Sequence, residues 1–445
     1  MLGIVVSHAD SASVSIGEQL LSLEDWEENE DGMSEAVYRT DGAVLREFDE
    51  RHLDMERPAD AFGETDLLVF ASKHSGETGP LLTAHHTGNF GPADYGGESN
   101  SLAEAAPNAH AAVLDALDRY APEGYEVGME CTHHGPSEVG APSMFVELGS
   151  ASPQWEDTPA ARAVARAILN LRGVAPHQEP ANGEERRRQL VGFGGGHYTP
   201  RFERVVRETN WAIGHIAADW GLDAIEFDSE GQAVIAEAFE QSQAAYALVD
   251  GDRPEVVNAV ESAGYRAVSE TWVRETDGLD LRFVSAAEEI ATVEEGLRFG
   301  DAASEFEGDE FAVVELPAGL LEEACGIERE RARELVAAQT LAFCTSQGGS
   351  RPTETVILAD AEKQESIVSG LLSVLKERYD SVERDGETVI ARERRFDPEK
   401  AKTLGVSEGP AFGKLSAGEA VEVGGRTIPP ETVQTEREER FSLDE

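Results

Sequence analysis

Residues 1–275 predict an α/β domain, a three-layer sandwich on a mainly parallel sheet, and the remainder predicts a smaller α+β domain. Three observations carry this. Short apolar strands alternate with helical stretches through the first part, and the chain opens strand, polar loop, helix. Histidines also gather where strands give way to glycine-rich loops, the ends at which α/β sheets place their chemistry.

In order, residues 3–6 read as a buried strand. A loop with His8 and Asp10 follows, then a helix through Gln19 and Leu20 with Ser15 as its cap. Strands are expected at 66–71 and 80–84, and Ala111, Leu114 and Leu117 mark one face of a helix over 108–120. Strands at 125–129 and 143–148 precede an Ala- and Arg-rich helix at 158–171. A strand at 189–193 runs into Gly194-Gly195-Gly196, followed by a helix at 202–209, a strand at 211–216 and a helix at 231–244. A last βαβ unit comprises 245–249, a helix from Pro254, and 265–269.

After Thr276-Asp277-Gly278 the texture changes: all eleven histidines lie at or before His215, and no tryptophan follows Trp272. Residues 276–395 read as an α+β accessory domain, with strands at 281–284 and 311–315 and helices at 327–342 and 367–379. Residues 396–445, rich in Gly, Pro and charge, read as a tail module.

The charge balance is −50, from 37 basic and 87 acidic residues spread along the chain. Such a protein repels itself in dilute buffer, whereas at molar salt the Debye length is only ~3 Å. The acidity therefore reads as adaptation to a salt-rich cytoplasm. No apolar run approaches the ~20 residues that span a bilayer. Met1-Leu2-Gly3-Ile4-Val5-Val6 has neither a basic flank nor a cleavage site, and three scattered cysteines make no disulfide framework. A cytoplasmic monomer is the expectation. One stretch breaks the acidic trend: residues 162–207 hold nine arginines against four acids, the footprint expected of a polyanion site.

The chemistry centres on Glu130-Cys131-Thr132-His133-His134-Gly135-Pro136-Ser137. If the strand before it continues, Glu130, Thr132 and His134 face one way, and Cys131 and His133 the other. Leu82-Thr83-Ala84-His85-His86-Thr87-Gly88-Asn89, Gly194-Gly195-Gly196-His197-Tyr198-Thr199-Pro200 and Gly214-His215-Ile216 are three more histidine segments at strand ends. Dispersed imidazoles with Glu130 and Asp219 suit a hydrolytic zinc site, where the metal lowers the pKa of bound water to ~7. For His8, His52, His74, His110 and His177 a hydrogen-bonded core or cap role is the plainer reading. No Gly-x-Ser-x-Gly elbow points to a serine hydrolase. The triglycine before a helix offers a phosphate cradle, made more credible by the neighbouring arginines.

These blocks resemble the archaeal and plant type of D-aminoacyl-tRNA deacylase over residues 1–274, with Cys131 standing where an aliphatic residue is expected. The resemblance implies a zinc-dependent hydrolase that cleaves the ester between a D-amino acid and tRNA. It also implies a core like that of nucleoside phosphorylases and peptidyl-tRNA hydrolases. The expected metal ligands are His85, His133, His134 and His197, with Glu130 and His215 as catalytic or supporting groups. Arg186, Arg187, Arg188, Arg201 and Arg204 would hold tRNA phosphates, and Tyr198 would stack on the terminal adenine. Residues 405–433 resemble the tail of the β-lactamase-fold endonucleases that process tRNA 3′ ends. Two rival readings are another metal-dependent amide or ester hydrolase and a non-catalytic RNA-binding protein with a structural metal site.

Overall fold

A computed structural model describes residues 1–29, 36–180, 187–306, 308 and 310–444, in two compact units, Met1–Asp277 and Gly278–Glu445. In the first unit β1 (Leu2–Ser7) is wholly buried, and α1 (Ser11–Leu23) follows it. The cap is Asp10, not Ser15: its carboxylate accepts from the Ala12 and Ser13 amides and so satisfies two of the helix's unpaired donors. The segment between α1 and the next expected strand also forms strands: β2 (Glu27–Asn29), β3 (Ala36–Thr40) and β4 (Ala43–Phe48). β3 and β4 are a hairpin turned at Asp41-Gly42, where Gly42 has φ +74°.

The sheet continues with β5 (Leu67–Lys73) and β6 (Leu81–His86). A two-residue pair, β7 (Gly88–Asn89) and β8 (Ser101–Leu102), stands apart from it; β9 (Glu126–Met129) and β10 (Ser143–Gly149) complete it. The strand order is β2-β3-β4-β1-β5-β10-β6-β9. β4, β1, β5 and β10 run parallel; β6 is antiparallel to β10, and β9 is parallel to β6. The sheet is thus mixed. A second, all-parallel sheet of order β12-β11-β13-β14 is formed by β11 (Gln189–Phe193), β12 (Ala212–Ala217), β13 (Tyr246–Val249) and β14 (Arg266–Val268).

Helices α1, α2 (Pro107–Tyr120) and α4 (Thr158–Leu169, after the short α3, Ser152–Trp155) pack on one another and on the large sheet, and α2 also reaches β12. The opposite face of the sheet is closed differently. Phe70 and Phe145, stacked at 4.7 Å, pack there against Met55, Ala59, Phe62, Val139 and Ala141 from loops and a short 3₁₀ turn. Loops rather than helices leave room on that face for polar side chains.

In the second unit, residues 281–284 lie in a helix, Leu281–Ala287, rather than a strand, because Asp280 caps it through the Arg282 amide. The helix expected over 327–342 is shorter, Arg329–Ala337: extended Glu328 separates it from a preceding helix, Ala318–Ile327, and Ala342 begins a strand. Strand Gln434–Ser442 pairs along Thr388–Phe396, and its Phe441 enters the core beside Leu320 and Leu371. Residues 396–445 are therefore tied into this unit by their last strand. No helix among the described residues is long and apolar enough to cross a membrane.

Candidate active site

The antiparallel junction of β10 and β6 sets the site. Its register opposes Phe145 to His85 and Glu147 to Thr83, so His85 and Glu147 share the loop-covered face. The site accordingly lies over a sheet face, not beyond a row of parallel strand ends. His74 follows β5 directly, its amide bonded to Leu148 O at 3.1 Å. Gly149 is required beside it: a Cβ there would meet the His74 side chain at 2.7 Å.

The Glu130–His134 segment leaves the sheet after Met129, so the alternation expected of a strand does not apply. Its backbone is instead bonded to each of the other histidine segments. The Glu130 amide donates to Ala84 O (3.2 Å), Cys131 to His197 O (2.9 Å) and Thr132 to Ile216 O (2.9 Å), while Gly88 N donates to His134 O (2.8 Å). Glu130, His133 and His134 all turn to the same side as a result.

Two buried carboxylates organise what they meet. Glu130 Oε2 lies 2.9 Å from His197 Nε2 and 3.8 Å from His133 Nε2, and Glu130 Oε1 lies 3.1 Å from His74 Nδ1. Glu147 is 3.5 Å from His74 Nδ1, 3.7 Å from His85 Nε2 and 4.0 Å from His134 Nε2. His74 Nε2 is in turn 2.8 Å from the Tyr198 hydroxyl. Burial works against charge on His74, but the two carboxylates outweigh it and raise its pKa to about 11. Burial would likewise raise both carboxyls, yet the facing imidazoles hold Glu130 well below the usual range and Glu147 at about 2. Burial and the neighbouring His85 push His134 down to about 4, and His133 falls well below its ordinary value for the same reasons.

The donor set suits a metal ion. His85, His133 and His134 place ligand nitrogens within 4.8 Å of one another; so, as other groups of three, do the donors of His74, Glu130 and His197, of His85, Glu130 and Glu147, and of Cys131, His133 and His197. Nδ1 of His85, His133 and His134 each faces a backbone carbonyl (His86, Cys131 and Gly135), which can only accept, so each Nε2 keeps its lone pair. His85 Nε2 and the Oε1 atoms of Glu130 and Glu147 are buried without an aligned hydrogen bond, the state that a cation would relieve. Cys131 is a poor thiolate source, since burial and Glu130 push it up to about 12.

Residues 61–268 match the protein family described as D-aminoacyl-tRNA deacylase. The chain is 52% identical to the D-aminoacyl-tRNA deacylase of Haloarcula marismortui over all of both chains, and 52% identical to that of Natronomonas pharaonis, again over all of both. The chain belongs to the D-aminoacyl-tRNA deacylase family. A crystal structure of a conserved protein of unknown function shares 30% identity and a TM-score of 0.55, covering 62% of this chain and 98% of that one. The similarity extends over the second unit at lower identity as well: the D-aminoacyl-tRNA deacylase of Methanosphaerula palustris, 32% identical, aligns with 97% of this chain and 96% of its own length.

In this family member, His85, His133, His134 and Glu130 come together as the sequence suggested, with His197 on the Glu130 side of the cluster. Glu147 and His74 were not foreseen. The signal for Glu147 was an acid within an otherwise apolar strand, a placement too costly without a partner. His215 lies elsewhere: it is buried, with Nδ1 3.0 Å from Thr132 Oγ1 and Nε2 2.8 Å from Ala103 O, beside His86 and behind the sheet. Asp219 pairs with Arg253. Tyr198 has its hydroxyl on His74 and its ring against His197 (4.9 Å), which commits it to the cluster rather than to stacking.

Four of the arginines meet acids in three dimensions. Arg201 pairs with Asp250 and Glu270, Arg204 with Glu270, Arg207 with Glu203 and Asp118, and Arg172 with Glu24. Arg187 bonds Gln243 and Gln178 O, Arg188 bonds Thr276 O and lies over Trp211, and Arg186 lies outside the described residues. The triglycine is no open phosphate cradle either, since a Cβ on Gly195 would touch the Asp250 carboxylate at 3.1 Å.

Proposed function

We propose that the chain hydrolyses the ester joining a D-amino acid to tRNA, releasing the free D-amino acid and tRNA and so clearing D-residues before translation. The observation that carries the reading is the buried cluster of His85, Glu130, His133, His134 and Glu147 in a chain about half identical, end to end, to proteins named for this activity. At the level of architecture the reading extends to a three-layer α/β core of the nucleoside-phosphorylase and peptidyl-tRNA-hydrolase kind. The helix layer shared between the two sheets through α2 supports it.

Zinc is the proposed cofactor, held by His85, His133 and His134, whose Nδ1 atoms face backbone carbonyls and whose Nε2 atoms remain to bind it. When bound, such an ion supplies Lewis acidity, polarising a carbonyl and lowering the pKa of water. The chain's own groups do the rest. Glu130, kept ionised by His197 and His74, takes a proton from the attacking water. Glu147 holds His74 against Glu130 and faces His85 and His134, fixing their orientation. The enzyme acts as a single chain in a salt-rich cytoplasm, a reading supported by its acidity.

The test is hydrolysis of D-tyrosyl-tRNA at molar KCl before and after dialysis against chelator, with metal content measured in parallel. Activity should disappear with the metal and return with added zinc. Full activity in metal-free protein would defeat the zinc assignment, and no hydrolysis by metal-loaded protein would defeat the deacylase assignment itself.

A further inference from the structure

We propose that Tyr95 and Trp220 form a platform on which the unpaired 3′-terminal bases of the tRNA stack, an inference that rests on the deacylase reading. Among the described residues these are the only aromatic side chains that are strongly exposed, at 66% and 46%. Both stand on segments that abut the site. Tyr95 rides on a loop closed between Gly91 and Asn100, whose tip is fixed by Asn89 donating to Gly96 O (2.9 Å) and by Glu98 N donating to Ser137 Oγ (2.9 Å). That tip lies on the segment carrying His133 and His134, for a Cβ on Gly135 would meet Gly96 O at 2.5 Å. Trp220 stands in a short helix (Asp219–Ala224), whose first amide donates to Gly195 O at 2.8 Å, beside the loop that delivers His197. The two segments also touch, since a Cβ on Gly91 would meet Ala224 Cβ at 2.9 Å. The aromatics thus stand on adjoining segments.

Charge argues for bases rather than phosphates as the group gripped there. The cleft of about 780 Å³ bordering Gly96, Gly97 and Pro136 is lined by Asp54, Glu56, Asp60, Glu98 and Glu138, with Arg57 bound to Asp60. The arginines 172, 201, 204 and 207 are also paired with acids. Base–aromatic stacking needs no phosphate neutralisation and persists in concentrated salt, where counterion release contributes little.

The measurement is the Kd for uncharged tRNA and the KM and kcat for D-tyrosyl-tRNA, at molar KCl, for Tyr95→Ala, Trp220→Ala and Trp220→Phe. Each alanine variant should weaken Kd and KM roughly 5- to 100-fold with kcat within about twofold. Trp220→Phe, which keeps a stacking face, should recover most of the loss. Unchanged Kd in both alanine variants would overturn the platform, as would altered self-association with unchanged Kd, which marks a contact between copies of the chain. If the wild type binds tRNA through these residues but does not hydrolyse D-tyrosyl-tRNA, the deacylase reading fails while the platform stands.

Discussion

Glu147 is the residue on which the cluster turns. It lies within reach of three imidazoles, and an acid so buried is tolerable only because they surround it. Glu147→Gln keeps the shape but removes the charge that holds His74, His85 and His134. D-aminoacyl-tRNA hydrolysis should fall by roughly a hundredfold or more, measured as kcat on folded variant verified by circular dichroism. Near-native kcat would make Glu147 a bystander. The residues legible in the sequence were those that came in recognisable company: His85 beside His86, His133 beside His134, and His197 after three glycines. His74 stands singly in a polar stretch and Glu147 singly within a largely apolar strand, and only the antiparallel pairing of β10 with β6 and the run of β5 bring them in. His215 misled for the opposite reason. It follows a glycine at a strand, but Gly214 serves close packing, since a Cβ there would strike Ser242 Oγ at 2.2 Å.

At the scale of elements, β6 separates two sets of histidines by simple alternation. His85 faces the site, and His86 faces His110 of α2 (4.6 Å between rings) and His215 of β12 (5.7 Å). Behind the sheet no carboxylate among the described residues compensates. Burial lowers His110 and His215 to about 4 each, and these imidazoles stay neutral in the fold. Because their folded pKa lies below the unfolded value near 6.5, their contribution is fully present above about pH 6.5 and is lost as pH falls toward 4. Together they should steepen the loss of stability by up to roughly 3 kcal/mol per pH unit within that window. Denaturant midpoints at constant salt between pH 7.5 and 5 measure it, and His110→Leu should flatten the slope. A flat profile in the wild type would contradict the account. Most first-unit elements were legible because long apolar or periodic stretches leave little choice. The hairpin of β3 and β4 was missed although Asp41-Gly42 is a strong turn signal, because its strands are short and interrupted by charge. In the second unit the short apolar run at 281–284 was ambiguous by period, and Asp280 decided it as a helix start.

For the whole molecule, the sequence foretold an acidic α/β protein of the deacylase family. It could not foretell that Arg201, Arg204 and Arg207 meet acids on folding, because Asp118, Asp250 and Glu270 come from segments distant in the chain. Nor could it show that two sheets, one mixed and one parallel, share the first unit. On the proposed reading, recognition of tRNA by such a surface leans on contacts that tolerate salt. The most direct test of the central claim compares the hydrolysis rates of D-tyrosyl-tRNA and L-tyrosyl-tRNA at molar KCl with metal-loaded enzyme. The account predicts rapid release of the D-amino acid with the L-ester largely intact. Equal rates on the two esters would contradict it.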